Sequence, residues 1–253
     1  MTRFRSAART DVGMKREHNE DSFLLNEDLG LYVVCDGMGG HAGGETASRL
    51  AVQTVEKELI STRLRADDPF ASTVGLEETP LAIALQEAIE GACSMVYRTS
   101  RTEPELQGMG TTCIALLLRG DVAVVGHVGD SRAYFVREGA IVQLTEDHSL
   151  VNEQVRAGLL TSEEAKHSRL RNIITRSVGF EEDVLVDVIG LETKPGDRFL
   201  LCSDGLSNLI ENREIRDALL ESELTEVPQK LIHLANARGG DDNITVVAVQ
   251  RLE

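Results

Sequence analysis

Positive charge is scarce in this chain. Its 26 lysines and arginines stand against 42 aspartates and glutamates, a formal net charge of −16 over 253 residues. That balance argues against a general nucleic-acid binder and against docking on an anionic membrane. It also means that an anionic substrate has to be captured by local cations. Cysteine is scarce too: Cys35, Cys93, Cys113 and Cys202 form no CxxC spacing, and three of them lie in apolar, strand-like runs. They read as reduced core residues, not as a zinc site or a disulfide frame, which points to a cytoplasmic protein. The amino-terminal stretch MTRFRSAARTDVG lacks the apolar segment of a secretion signal. The longest apolar run, Cys113–Leu118, is far too short to span a bilayer. Repeats and low-complexity tracts are missing, and no linker-like boundary divides the chain.

Hydrophobic residues make up 42% of the chain, enough for a sizeable core in one domain. The chain is organised around LYVVCDGMGGHAGGET, Leu31–Thr46. A run of apolar, mostly β-branched residues, Leu31–Cys35, reads as a buried strand ending on Asp36. Glycines follow, and a helix is expected over Glu45–Ile60, where the apolar residues keep helical spacing. An acid at a strand tip beside a glycine-rich backbone makes a tight site for small ligands. The same shape recurs in VAVVGHVGD (Val122–Asp130), RFLLCSDG (Arg198–Gly205) and GGDDNITVVAV (Gly239–Val249). One Asp at a strand end is ordinary turn chemistry. Four of them suggest carboxylates converging on one spot, where like charges cannot stay uncompensated. Hard divalent cations are the simplest compensation.

In chain order, Phe4–Thr10 reads as an edge strand and Ser22–Leu25 as a second strand, after the polar run Lys15–Asp21 that carries Arg16, Glu20 and Asp21. Ser61–Thr79 reads as a loop, and Pro80 opens a second helix. Thr99–Gly110 reads as another loop. Thr112–Leu118, Val122–Val128, Arg132–Val136 and Ala140–Leu144 read as an antiparallel meander with turns at Gly120-Asp121 and Glu138-Gly139. Glu146–Phe180 is polar, with short helical stretches, and reads as an insertion or lid over a site. Strands return at Leu185–Leu191 and Arg198–Cys202. Helices follow at Arg213–Leu220, capped by Asn212, and at Glu226–Ala237, before a last strand, Ile244–Val249. The expectation is one α+β domain: two stacked antiparallel sheets with helices outside.

Carboxylates with backbone carbonyls suit magnesium or manganese. Two such ions bridged by one Asp lower the pKa of a bound water and clamp the oxygens of an in-line displacement, and a phosphate ester is the natural target. Metal-dependent phosphate hydrolysis is therefore the expected chemistry.

The motifs RxxxED (Arg16–Asp21), DGMGGHAGG (Asp36–Gly44), GTT (Gly110–Thr112), HVGDSR (His127–Arg132), DHS (Asp147–Ser149), SDGL (Ser203–Leu206) and DNIT (Asp242–Thr245) occur in that order across nearly the whole chain. Together they resemble the protein phosphatase 2C-like, or PPM, family of metal-dependent Ser/Thr phosphatases, in its compact bacterial form. The resemblance implies a four-layer α-β-β-α sandwich and two Mn2+ or Mg2+ ions, with a third in bacterial members. By the same resemblance Asp36 would bridge two cations, Gly37 would give its carbonyl to the second, and Asp204 and Asp242 would complete the first. Asp21 would hold a metal-bound water or sit just outside. Asp130, with Asp204, would take the third cation, Arg16 would bind the substrate phosphate, and His41 falls near the proposed general acid. Glu146–Phe180 matches the variable flap associated with substrate choice. The implied substrates are phosphoproteins, opposite a bacterial Ser/Thr protein kinase, for a monomer that binds neither nucleic acid nor membrane. His127 reads as a packed, hydrogen-bonded core residue and His148 as structural. Of Asp241 and Asp242, the acid directly before Asn243 is the expected ligand.

Two alternatives differ in class. Gly37-x-Gly39-x-x-Ala42 literally satisfies a dinucleotide-binding pattern, but Asp36 would face a pyrophosphate and no second parallel strand follows the helix. A phosphoprotein-binding pseudophosphatase would show lost metal acids, and here Asp36, Asp204 and Asp242 are all present.

Overall fold

Strands that read as unbroken apolar runs turn out to be buried on both faces. The computed structural model describes residues 4–39, 42–62, 76–166 and 168–252. In chain order it holds β1 (Phe4–Asp11), β2 (Asp21–Asn26), β3 (Leu31–Met38), α1 (Ala42–Ser61), α2 (Pro80–Thr102), β4 (Gly110–Thr111), β5 (Cys113–Arg119), β6 (Val122–Val128), β7 (Arg132–Arg137) and β8 (Ala140–Gln143). Then come α3 (Leu150–Arg156), α4 (Ser162–Lys166), β9 (Asp187–Glu192), β10 (Arg198–Cys202), α5 (Asp204–Ser207), α6 (Asn212–Glu221), α7 (Val227–Ala237) and β11 (Ile244–Arg251). One sheet runs β1-β11-β10-β7-β8 and the other β2-β3-β5-β6-β9, with β4 on β3; the pairings are antiparallel.

The two sheets stack through Tyr32, Val34, Ile114, Leu116, Phe199, Leu201, Val247 and Val249. The alternate residues of the same strands face helices: Leu31, Val33 and Cys35 meet α1 and α2 on one side. On the other side, Leu200, Val246 and Ala248 meet α6 and α7. This is the expected α-β-β-α sandwich. Each central strand gives one row of side chains to each of two cores. Period-2 alternation of polar and apolar residues is therefore invisible in its sequence. Fully burying each of these large side chains contributes roughly 1.5–3 kcal/mol. The entry to α2 is set locally: Pro80 stands in its first turn and the Thr79 hydroxyl accepts the Ala82 N–H at 3.3 Å.

Several expectations are corrected. β5 through β8 do not form one meander: β5 and β6 belong to one sheet, β7 and β8 to the other. The chain changes sheet at Gly129-Asp130-Ser131, where Gly129 takes φ +111°, and this crossing sets Asp130 between the sheets. β3 does not end on Asp36 but continues to Met38, because β4 pairs with Gly37 and Met38. α1 begins at Ala42, not Glu45, with Gly43 and Gly44 buried in its first turn. α2 runs on to Thr102. α6 is capped by Glu211, whose N–H donates to Glu214 three residues on, and not by Asn212. The dinucleotide-binding alternative falls with the topology, since α1 leads to α2 and not to a parallel strand. Most of the Ser61–Thr79 loop lies outside the described residues. Among the described residues no helix is long and apolar enough to cross a membrane.

Candidate functional site

Asp36, Gly37, Asp130, Asp204, Asp242 and Arg16 line one cleft of about 950 Å³. Apart from the neighbours Asp36 and Gly37, each arrives from a different part of the chain. Asp36 stands in β3, opposite Asp21 of β2 in the strand register. Its main chain is held on both sides: its N–H donates to the Thr112 hydroxyl at 2.9 Å, and its carbonyl accepts from the Thr112 N–H at 2.9 Å and the Thr111 hydroxyl at 2.8 Å. Asp204 opens α5 directly after β10, and its Oδ2 accepts from Asn208 at 3.1 Å. Asp242 precedes β11 and accepts the Asn243 N–H at 2.9 Å.

Gly37 is glycine because no side chain fits there. A Cβ would stand 2.1 Å from the Gly44 carbonyl oxygen and 2.6 Å from that of Glu20. Gly37→Ala is accordingly expected to cost roughly 3 kcal/mol or more, by forcing α1 and the Glu20 loop off β3. A chemical-denaturation midpoint unchanged from wild type would refute that packing argument.

Asp21 does not line the cleft. It lies one layer behind, where its Oδ2 accepts from Ser203 at 2.8 Å and Thr245 at 2.6 Å, tying the two sheets together. Its Oδ1 is buried with no hydrogen-bond partner among the described residues, as is that of Asp130. Asn243 fastens the loop that carries Arg16: it donates to the carbonyls of Val12 at 3.0 Å and His18 at 2.9 Å, and accepts the Glu20 N–H at 2.7 Å. Arg16 Nη2 lies 2.7 Å from Asp242 Oδ2. Asp241 turns away from the cleft to pair with Lys15 at 2.5 Å, which holds its carboxyl below the ordinary range. His41 lies outside the described residues. Of the residues that support these acids, Ser203 and Asn243 each stand beside an acid in sequence, whereas Thr111, Thr112 and Thr245 have none within two residues and carry no such local signal.

Segment 146–180 supplies a wall of the cleft through Asn172, Thr175, Arg176 and Phe180, among others. Behind that wall, His127, His148 and Asp187 come close enough to suggest a second metal site. The hydrogen bonds exclude it. The Gly129 N–H donates to His148 Nδ1 at 3.0 Å, so that nitrogen carries a lone pair and neutral His148 holds its proton on Nε2. The Nε2–H faces Asp187 Oδ2 at 3.0 Å and has no lone pair left for a cation. Burial, aided by the nearby Arg176, holds His148 below the ordinary histidine range. His127 is packed as expected, its ring 4.6 Å from that of His148. Its ring nitrogens, however, have no hydrogen-bond partner among the described residues. Burial pushes its pKa down to about 3.

The carboxylates of the cleft raise one another. Burial first, then the charges of Asp21, Asp204, Asp130 and Asp242, push Asp36 well above the usual carboxylate range. Asp130 is raised by burial and by Asp204. Burial and Asp242 push Asp204 up to about 6, and burial pushes Asp21 up to about 7. Arg16 is the only cation that pairs with any of these acids in the cleft among the described residues. Oxygen donors that repel one another around unpartnered buried oxygens fit hard divalent cations.

The cation-free protein should therefore depend on pH in a definite direction. Below about pH 4 the acids are protonated folded or unfolded, and nothing is lost. Above it the unfolded chain ionises first, so stability falls until the folded acids titrate, at about 6 for Asp204 and about 7 for Asp21. With a chelator present, the thermal midpoint should drop by roughly 10 °C between pH 5 and pH 7.5. A flat midpoint across that window would contradict the repulsion.

Comparison with known proteins agrees with this geometry. A sequence model of the family described as Protein phosphatase 2C matches residues 14–241. The chain is 38% identical over 247 residues to the serine/threonine phosphatase stp of Listeria monocytogenes, covering 96% of this chain and 94% of that one. It is also 38% identical over 244 residues to the serine/threonine protein phosphatase PstP of Mycobacterium tuberculosis, covering 96% of this chain and 44% of that longer protein. The crystal structure of M. tuberculosis PstP superposes with a TM-score of 0.87 at 36% identity, over 100% of both chains. A structure of the PstP catalytic domain in complex with two manganese ions superposes with a TM-score of 0.85 at 36% identity.

Proposed function

The chain belongs to the protein phosphatase 2C family, and on that premise we propose that it hydrolyses phosphoserine and phosphothreonine in proteins, with Mn2+ or Mg2+ as cofactor. The observation that carries this reading is the convergence of Asp36, Asp130, Asp204 and Asp242 with the Arg16 guanidinium in one cleft. Bound there, a pair of divalent cations supplies an acidified water and neutralises phosphate oxygens. Asp36 would bridge the pair, with Asp204 and Asp242 on the first ion and the Gly37 carbonyl on the second. Asp130, with Asp204, would take a third ion. Asp21 sits just outside, and its unpartnered Oδ1 supports a role in orienting water next to the first ion. Arg16 would hold the phosphate; its half-exposed guanidinium reaches the cleft from the loop clamped by Asn243. His41 is assigned to protonation of the leaving Ser or Thr oxygen on its sequence match.

The domain reading is one phosphatase domain over the whole chain, with a flap at 146–180 that supports substrate choice by walling the cleft. A cleft built from a single chain supports action as a monomer. Four free, buried cysteines support a reducing, cytoplasmic location. The opposing enzyme would be a Ser/Thr protein kinase acting on the same proteins.

The test is hydrolysis of p-nitrophenyl phosphate and of a phosphothreonine peptide, with EDTA or with Mn2+. Release that requires Mn2+ is expected for both. Folded protein that releases phosphate from neither would overturn the reading and leave phosphoprotein binding without turnover.

A further inference from the structure

His148 touches none of the cleft acids, yet it joins the Gly129–Asp130 turn to the wall that carries Arg176. On one side it grips Gly129: its ring Nδ1 accepts the Gly129 N–H at 3.0 Å, and its main-chain N–H donates to the Gly129 carbonyl at 2.8 Å. Gly129 is the residue at φ +111° where the chain changes sheet, and Asp130 follows it directly. On the other side the Nε2–H donates to Asp187 Oδ2 at 3.0 Å. The second oxygen of Asp187 accepts from Arg176 Nη1 at 2.6 Å, and Arg176 lines the cleft. Arg176 Nη1 also lies 3.0 Å from His148 Nε2. Both are donors, so this approach is not a hydrogen bond; the two share Asp187 as acceptor. The main chain adds to the coupling: the His148 carbonyl accepts the Thr175 N–H at 2.9 Å, and Ser149 bridges Ile174.

We propose that His148 is a positioning residue with two separable duties: its Nδ1 sets the Gly129–Asp130 turn for the third cation, and its Nε2–H sets the Asp187–Arg176 wall for the substrate. This rests on the proposed phosphatase reading of the cleft. The ring is suited to both because its two nitrogens play opposite parts, one accepting and one donating, at a spacing fixed by the imidazole. Burial keeps it neutral, so neither part changes. Arg132 supports the arrangement from below by holding the neighbouring Asp147 with paired bonds, Nε to Oδ1 at 2.9 Å and Nη2 to Oδ2 at 2.6 Å.

Amide side chains separate the duties. In His148→Asn the side-chain oxygen reaches the place of Nδ1 and accepts from Gly129, but nothing reaches Asp187. In His148→Gln the amide reaches the place of Nε2 and donates to Asp187, but the acceptor for Gly129 is gone. Mn2+ binding is measured by calorimetric titration, and steady-state kinetics are run with a phosphothreonine peptide at saturating Mn2+. His148→Gln is expected to weaken the weakest Mn2+ site about tenfold, as loss of an outer support for a metal ligand does. His148→Asn is expected to keep that site and to raise KM for the peptide roughly fivefold through a loosened wall. If both variants lose both properties together, or neither loses either, the separable roles are wrong and His148 only holds the fold. If wild type binds no Mn2+ at all, the metal reading of the cleft fails first, and that result is distinct from any difference among the variants.

Discussion

Asp36→Asn is expected to cut kcat for p-nitrophenyl phosphate by about 10³-fold or more at saturating Mn2+, while making the cation-free protein more stable. Both effects come from one carboxylate. Asp36 stands at the centre of the cleft acids, and its pKa is raised by burial and by four neighbouring aspartates. Removing its charge removes repulsion from every one of them, so in EDTA the thermal midpoint should rise by roughly 5 °C at pH 7.5. The same change removes the oxygen that would bridge two cations, and no other carboxylate occupies that central position. The asparagine side chain has the volume of aspartate, so the Thr111 and Thr112 bonds to the main chain of residue 36 remain. A variant that keeps a tenth of the wild-type rate would remove Asp36 from the centre of the mechanism. One that loses activity and also melts earlier in EDTA would show that Asp36 supports the fold, in conflict with the electrostatics. A functional group that destabilises its own protein is a common exchange of stability for activity.

Arg16→Ala is expected to raise KM for a phosphothreonine peptide by about 10- to 100-fold with a smaller change in kcat, the loss expected for charge-assisted bonds to a phosphate. In the cation-free cleft the guanidinium is not idle: Nη2 lies 2.7 Å from Asp242 Oδ2. A cation that takes Asp242 competes with Arg16 for it and leaves the guanidinium free to turn to an anion. Inorganic phosphate should therefore bind wild type measurably tighter with Mn2+ than without, beyond the direct attraction of the cation, and Arg16→Ala should lose that increment. Arg16→Lys should recover part of the KM but not all, because an ammonium cannot form the planar pair of bonds that a guanidinium gives. An unchanged KM in Arg16→Ala would assign phosphate capture to the cations alone.

Several features of the site were legible in the chain itself. An Asp at the edge of an apolar run, met four times, announced converging carboxylates. Convergence needed no distance, only the fact that strands of stacked sheets end near one another. Helices α1, α2 and α7 could be placed because their apolar stripes, and in α2 the proline at its start, are local signals. The choice of Asp242 over Asp241 followed from its place beside Asn243, and the structure puts Asp242 in the cleft and Asp241 on Lys15. Other readings failed where the deciding contact was remote. The sheet change at Gly129 looks like any tight turn in sequence. The extension of β3 past Asp36 depends on β4, far along the chain.

By itself, then, the sequence pointed to metal-dependent phosphate chemistry, to four acids at strand ends and to the approximate order of strands and helices. These rest on residue chemistry and on periodicities that short segments carry alone, while the roles expected of the acids came from the family resemblance. Only the tertiary structure decided that Asp21 stands behind the cleft as a tie between sheets, that Arg16 pairs with Asp242, and that His148 joins Asp130's turn to the cleft wall that carries Arg176. Each of those is a contact between residues many positions apart, set by the packing of one sheet on the other. Hydrogen-bond partners and the burial that shifts a carboxylate's pKa belong to that packing and have no local signature in the order of amino acids.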